Sequence, residues 1–257
     1  MILKKKVYFL LLFIIILIGY LRYPYYEQNI SLGSIGPCFS HWFGTDQLGR
    51  DLFSRVTYAC FVSLTVGVIA TTLAVFFGSV YGIISGYFGG NIDQCMMRLI
   101  DIFYPIPLTL IVILMMILFG QHMVVLFLAI GSVEWMTPAR IVRAEVLKLK
   151  ESGYVQVARG FCESKCRIIL NHIVPNLKSV LTVCFFVTLP GVILLESFLS
   201  FIGLGIQPPR SSLGILIAEG AKRIGTHPWE VIFPALMMVT VIFALNQSNR
   251  RRCKKNF

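Results

Sequence analysis

Apolar residues along the chain gather into long runs separated by short polar stretches, without the regular alternation of a surface helix or strand. Several runs approach or exceed the roughly 20 residues that carry an α-helix across about 30 Å of hydrocarbon. Six spans are predicted: Val7 to Leu21, Ala59 to Gly86, Met97 to Phe119, Met123 to Met136, Ser179 to Leu199 and Trp229 to Leu245. The third contains Pro105 and Pro107, which free backbone carbonyls that neighbouring helices or water must satisfy. The expected fold is an all-α polytopic membrane protein with about six transmembrane helices. The first run, behind Lys4, Lys5 and Lys6, resembles a signal peptide in its basic start and apolar middle. No small-x-small cleavage site follows it, so an uncleaved anchor is expected.

Composition agrees with this pattern. Hydrophobic residues make up 56% of the 257 and charged residues 14%, against about 25% charged in soluble domains. A net charge of +11 raises the question of nucleic acid, but most Lys and Arg lie between or beyond the apolar runs. With six spans and a cytoplasmic N-terminus, 17 of the 23 basic residues fall inside and 6 outside. That asymmetry is the positive-inside bias, and it predicts both termini in the cytoplasm. Three regions are expected: an anchor and external segment over 1–58, a permease-like membrane domain over 59–246, and a basic cytoplasmic tail over 247–257. Residues 22–58 are rich in glycine, proline and polar groups, as an external segment would be.

The chain lacks a convergent set of reactive side chains. Its four histidines are far apart in sequence and divide between the two sides of the membrane in this topology. Neither H-E-x-x-H nor G-x-S-x-G occurs, and no P-loop is present to hold a nucleotide. The seven cysteines are scattered. Cys162 and Cys166 lie one helical turn apart, but no further ligand stands at zinc-site spacing. Neither catalytic residues nor a metal site is assigned.

The longest charged stretch, residues 138–178, is far longer than an ordinary connection between spans. It has helical periodicity and reaches Pro175 just before the next span. A solvated pair of amphipathic helices and a docking surface for a cytoplasmic partner both fit that pattern. Three ionisable residues, Asp101, Glu134 and Glu196, fall within or at the edge of apolar runs, where an unpaired charge costs several kcal/mol. They are candidates to line a path or to hold helices together. Glu134, beside Trp135, also fits an interfacial position, and Glu196 is expected to face inward at a subunit interface.

Within the charged stretch, residues 154–176 read Y-V-Q-V-A-R-G-F-C-E-S-K-C-R-I-I-L-N-H-I-V-P-N. This resembles the EAA loop of ABC importer permeases, which in the peptide and nickel branch runs E-A-A-R-x-x-G, nine further residues, then I-L-P-N. Residues 41–55, H-W-F-G-T-D-Q-L-G-R-D-L-F-S-R, are similar to a segment of the second permease subunit of dipeptide and oligopeptide importers. Residues 199–209, L-S-F-I-G-L-G-I-Q-P-P, resemble another. The resemblance extends over roughly residues 1–246. Gln156, Val157 and Cys162 depart from it, standing where the family has Glu, Ala and a turn glycine. A non-glycine residue at positive φ carries a steric cost, and Gly160 offers another place for the turn. The family's G-D-x-L-R-D-x-L-D-P-R tail after the last span is also replaced here by a basic cluster, Arg250 to Lys255.

The resemblance implies a permease subunit of an ATP-driven, binding-protein-dependent importer of short peptides. A nickel importer is the nearest rival, and a degenerate permease that assembles without coupling is a further reading. A stand-alone channel or proton-coupled carrier would need neither the long loop nor an ATPase. The implied partners are a second permease subunit, two ATP-binding subunits and an external substrate-binding protein. No cofactor is expected in this chain, since ATP and magnesium would sit on the ATP-binding subunits. The implied location is the bacterial cytoplasmic membrane. The helical coupling loop, about residues 140–177, would dock on the ATPase through Gln156, Ala158, Arg159, Phe161, Cys162, Arg167, Leu170 and Pro175. Phe161 and Leu170 would be the apolar anchors there. Asp46, Arg50 and Asp51 would contact the binding protein.

Overall fold

The computed structural model describes residues 18–19, 22–207 and 210–256, with side chains as far as Gln247. The predicted first span, Val7 to Leu21, therefore lies outside the described residues except for Ile18 and Gly19, and so do the side chains of the basic tail. Among the described residues from Leu52 on, ten α-helices follow: α1 (Leu52–Phe88), α2 (Gly90–Phe103), α3 (Leu108–Phe119), α4 (Met123–Glu134), α5 (Met136–Lys150), α6 (Gly153–Gly160), α7 (Lys165–Ile168), α8 (Val174–Phe201), α9 (Leu213–Ala221) and α10 (Trp229–Asn256). A π-helical turn, Ile169–Ile173, joins α7 to α8. Among the described residues no strand forms; the sole β-type pairing is an isolated bridge between Thr45 and Asp51.

Three continuous helical stretches are long and apolar enough to cross a membrane: Leu52–Phe88, Lys165–Phe201 and Trp229–Gln247. Two bent pairs, α2 with α3 and α4 with α5, raise the number to five if each pair is one span. The predicted third span is thus divided, because α2 and α3 meet at 79°. Pro105 and Pro107 account for the break. Each lacks an N–H for the helical ladder, and Tyr104, still helical at φ of −63° and ψ of −35°, ends α2 just before Pro105. Pro107, with ψ near 107°, stands as the N-cap of α3. The predicted fourth span likewise bends by 43° around Trp135 and continues as α5.

α1 is the axis of the bundle. Gly78, Gly82 and Gly86 repeat every four residues and so form one stripe along it. A Cβ at Gly78 would sit 2.5 Å from the carbonyl oxygen of Trp135, and one at Gly82 would sit 2.5 Å from that of Ala139. The bare stripe lets α5 lie backbone to backbone against α1. Such small-residue seams are how helices pack in lipid, where apolar side chains gain little from leaving one apolar surroundings for another. Elsewhere, Val66, Ala70, Met116, Ile130, Val192 and Leu199 bring α1, α3, α4 and α8 together. Leu52, Val56, Ile193, Leu213 and Val241 join α1 and α8 to α9 and α10.

Candidate functional site

The two ends of α1 carry the chemistry. At its C-terminal end lies the loop pole, residues 151–176. Residues 140–150, counted with the loop in the sequence, form most of α5. The chain then turns at Glu151 and Ser152 into α6. Val155 and Ala158 are buried and pack with Val142, Val146, Ile168 and Ile173. Their burial leaves Tyr154, Val157 and Phe161 facing outward, with Phe161 80% exposed. Leu170, on the π-turn, is 64% exposed. Gln156 Nε2 donates to the Glu151 carbonyl at 3.0 Å, and the Arg159 guanidinium stands 5.5 Å from the Tyr87 ring. Arg167 and Pro175 are exposed. Of the predicted loop residues, Gln156, Arg159, Phe161, Cys162, Arg167, Leu170 and Pro175 are exposed, and Ala158 is buried beneath α6.

The turn after α6 stays at Cys162 and is not relocated to Gly160. Cys162 has φ of 55° and is the only described non-glycine residue at positive φ. Cys162 N donates to the Arg159 carbonyl at 3.0 Å, and Glu163 N donates to that of Ala158 at 3.3 Å. These two bonds make a Schellman motif, in which the left-handed position usually belongs to glycine. The π-turn also has a local cause. Pro175 has no N–H and its ring crowds the carbonyl four residues back, and just before it Val174 N donates to the Ile169 carbonyl, five residues back. Asn176 Nδ2 satisfies the His172 carbonyl at 2.6 Å. The Pro-Asn pair therefore carries the turn into α8 with its backbone groups partnered.

At the opposite end, residues 22–51 form a compact cap over the start of α1. Asp46 accepts from Leu48 N at 2.8 Å, Arg50 N at 3.1 Å and Arg50 Nε at 2.7 Å, and also from Arg55 Nη1. Arg55, 4% exposed, reaches Glu219 of α9 at 3.0 Å. Asp51 caps α1 through Ser54 N and Ser54 Oγ, both at 2.9 Å, and pairs with His41 Nδ1 at 2.8 Å. Asp46 and Asp51 are buried and internally engaged, while Arg50 is half-buried. A second, part-buried pair, Arg223 with both oxygens of Glu230 at 2.6 and 2.7 Å, fixes the start of α10.

Between the poles, Glu196 is fully buried within this chain and not at a subunit interface. Ser63 Oγ and Ser200 Oγ donate to it at 2.9 and 2.8 Å, with Ser197 Oγ at 3.3 Å. Ser63 in turn accepts from Leu213 N at 3.3 Å, so one carboxyl group links α1, α8 and the start of α9. Asp101 is exposed and paired with Arg140 at 2.6 Å at the end of α2. Glu134 is half-buried at the end of α4. Among the described residues, no three His, Cys, Asp or Glu side chains gather as metal ligands.

Sequence reasoning missed the Arg55–Glu219 and Arg223–Glu230 pairs, together with Asp93, which Arg143 holds through Nε and Nη2 at 2.5 Å each. Only the spacing of opposite charges at the margins of apolar runs hinted at them. The glycine stripe of α1 was readable as G-x-x-x-G and was not used.

A groove between α1 and α8, with a cavity volume of about 390 Å³, is lined by Thr72, Phe76, Ser79, Thr182, Phe185 and Phe186 among others. The hydroxyls of Thr72, Ser79 and Thr182 donate to carbonyls of their own helices. The groove is therefore mildly polar without any unsatisfied or charged group among these hydroxyls.

Comparison with known proteins places this architecture. The oligopeptide transport system permease protein OppC of Haemophilus influenzae is 40% identical over 240 residues, covering 93% of this chain and 77% of that protein. OppC of Escherichia coli K12 is 41% identical over 237 residues, covering 91% of this chain and 78% of its own length. The dipeptide transport system permease protein DppC of Bacillus subtilis is 39% identical over 240 residues, covering 92% of this chain and 75% of its own length. A solved structure of the MetNI methionine ABC transporter, in inward facing conformations, superposes with a TM-score of 0.61 at 16% identity. It covers 77% of this chain and 94% of that one, a likeness of fold alone. The family model described as binding-protein-dependent transport system inner membrane component matches residues 78–251. With two thirds of its length inside that model, the chain belongs to the family of binding-protein-dependent transport system inner membrane components.

Proposed function

We propose that this chain is one of two permease subunits of an ATP-driven importer of short peptides, fed by an external substrate-binding protein. It is a transport subunit and not an enzyme, as its family is. The observation that carries the coupling role is the loop pole. There a short helix, anchored by Val155 and Ala158, presents Tyr154, Val157 and Phe161 to the outside. Such an apolar face on a rigid base fits a groove on a cytoplasmic ATP-binding subunit, two of which would hold the ATP and magnesium. The names of the OppC and DppC relatives favour peptides over nickel. The Schellman turn at Cys162 speaks against a permease that no longer couples, because the turn a glycine would make is made.

In this reading the loop pole is cytoplasmic and the cap over residues 22–51 is external, with both termini inside. The membrane domain is 59–246, between the anchor segment 1–58 and the tail 247–257. Asp46 and Asp51 act on the binding protein by shaping the cap, and Arg50 supplies contact. The groove between α1 and α8 forms one wall of the path. Its self-satisfied hydroxyls offer passing peptides weak contacts and no fixed ligand set. ATP binding shifts the population of states by gripping the loop more tightly in one of them. The helical stretch from Lys165 to Phe201 transmits that grip toward Glu196 and α9.

The test is uptake of a labelled di- or tripeptide by cells carrying the whole importer, with and without this chain. Uptake should be lost without it and restored by it, and a crosslinker at Phe161 should capture an ATP-binding subunit. Uptake that persists without the chain would overturn the peptide role. Failure of the crosslink in the assembled complex would overturn the docking role.

A further inference from the structure

α2 presents three distinct faces. At about 100° per residue, Ile92, Cys95, Leu99, Ile102 and Phe103 fall on one arc, and all are exposed. Asn91, Gln94, Arg98 and Asp101 fall on a second exposed arc. The third faces the protein, where Asp93 is held by Arg143 and Ile100 packs with Tyr81, Trp135 and Met136. A helix crossing hydrocarbon beside this bundle would be apolar over both exposed arcs, as α3 is. Arg98 would be costly there, since it has no ion-pair partner among the described residues.

The direction of α2 agrees with its faces. It meets α3 at 79°, so the two cannot both run along the membrane normal. Of the pair, α3 is apolar but for Thr109 (LTLIVILMMILF) and suits the hydrocarbon. Asp93 and Asp101 lie eight residues apart on α2, about 12 Å of helical rise, whereas their partners Arg143 and Arg140 lie three apart on α5, about 4.5 Å. α2 therefore crosses α5 obliquely. At its far end the Arg140 guanidinium stands 4.5 Å from the exposed Tyr104 ring, a pairing of the kind that anchors chains at the lipid–water boundary. The exposed apolar surface continues from Phe88 through the stripe of α2 to Ile106 and Leu110.

We infer that α2 is an interfacial helix. It lies in the plane of the leaflet at the loop pole, with the Ile92–Leu99–Ile102 stripe among acyl chains and the Gln94–Arg98–Asp101 stripe in water. The partner surface is the lipid leaflet itself. A helix so placed binds through its buried apolar arc and keeps its charges hydrated. It would also hold Asp93 and Arg143, and through them the junction of α1 with α5, at a fixed depth directly above the coupling loop.

The experiment is site-directed spin labelling in the assembled importer, reconstituted in phospholipid vesicles. Labels would be placed singly at native Cys95 and through Asn91→Cys, Ile92→Cys, Gln94→Cys, Arg98→Cys, Leu99→Cys, Asp101→Cys and Ile102→Cys, with the other cysteines removed. Relaxation by oxygen, which concentrates among acyl chains, is compared with relaxation by a water-soluble nickel chelate. The expected ratio oscillates with the helical period, severalfold higher at 92, 95, 99 and 102 than at 91, 94, 98 and 101. A ratio that climbs steadily from 91 to 102 would make α2 the first half of a span and overturn the inference. Low accessibility to both reagents at 92, 95, 99 and 102 would overturn it too, because a protein partner would then cover the stripe. Should the cysteine-depleted chain fail to assemble, Leu99→Trp and Gln94→Trp in the native background provide the same decision. Lipids brominated near the headgroup should quench the first severalfold more than the second, and equal quenching would reject the interfacial placement.

Discussion

The two ends of α1 solve different problems with the same kind of material. At the cap, charge meets charge: Asp46 gathers Arg50 and Arg55, Arg55 reaches Glu219, and Arg223 grips Glu230. Aromatic rings add to this, as where Phe43 stacks on Phe233 at 4.0 Å. At the loop pole Val155, Ala158, Ile168 and Ile173 pack inward, while Val157, Phe161 and Leu170 are left exposed. Its backbone passes through two irregular turns, one at positive φ and one of π type. The cap satisfies its charges internally, whereas the loop pole leaves Phe161 and Leu170 exposed. Mutations should therefore divide cleanly. At the cap they should damage the fold, and at the loop pole they should damage coupling in a protein that folds.

The largest effect is expected where the two ends depend on a common part. Gly82→Leu would force a side chain into the backbone of α5. Because the seam runs the length of the pair, the expected outcome is loss of folded protein from the membrane, beyond the roughly 1–3 kcal/mol of ordinary overpacking. Size-exclusion profiles of fluorescently tagged protein in detergent would show it as loss of the monodisperse peak. Next comes the cap. Arg55→Ala leaves the Asp46 carboxylate buried without its most enclosed partner, a change that costs about 3–5 kcal/mol at buried pairs. The apparent melting temperature in detergent should fall by many degrees. If instead Arg55→Ala left stability intact and only weakened capture of the binding protein, the contrast between the two ends would fail.

Some of this was legible in the chain. Long apolar runs disclose the spans because hydrocarbon length sets one threshold for all of them. The long charged loop was read from its motif, and Phe161 and Leu170 within it are exposed. What could not be read was direction. Pro105 and Pro107 signal a break, but a sequence does not state that the break is 79°. Nor does it say which charges meet. Asp46 and Asp51 were expected, from the resemblance of residues 41–55, to contact a binding protein, yet both are engaged within the chain. Glu196 looked like an interface residue because it lies within an apolar run, yet serines of its own chain hold it, the most distant, Ser63, 133 residues away. Long-range pairing of this kind leaves no local periodicity to detect.

At the loop pole, Phe161→Ala should separate fold from coupling. With its ring in solvent, truncation changes stability by no more than about 0.5 kcal/mol, as for other surface substitutions. Peptide uptake should nevertheless fall about tenfold or more if the ring fills a pocket on the ATP-binding subunit, in the range of an interface anchor worth over 1 kcal/mol. Measuring melting temperature and uptake on the same preparations tests the division directly. A fall in both together would mean that the ring supports the fold.

The smallest effect is the most specific. Cys162 occupies a left-handed position that costs an L-residue about 1–2 kcal/mol relative to glycine, while glycine in turn gives the unfolded chain more freedom to lose. The difference leaves Cys162→Gly stabilising by roughly 0.5–1 kcal/mol, read as a small rise in melting temperature. Both hydrogen bonds of the turn come from the backbone, so the substitution keeps them. Phe161 should hold its outward position and uptake should be preserved. Cys162→Val is the informative opposite. A β-branched side chain at φ of 55° is strained further, so the turn should open and Phe161 should lose its fixed aim. Uptake would then fall while the cap, at the far end of α1, keeps its stability. If Cys162→Gly and Cys162→Val behaved alike, the loop pole would owe nothing to this turn, and the difference between the two ends would reduce to the exposure of a few side chains.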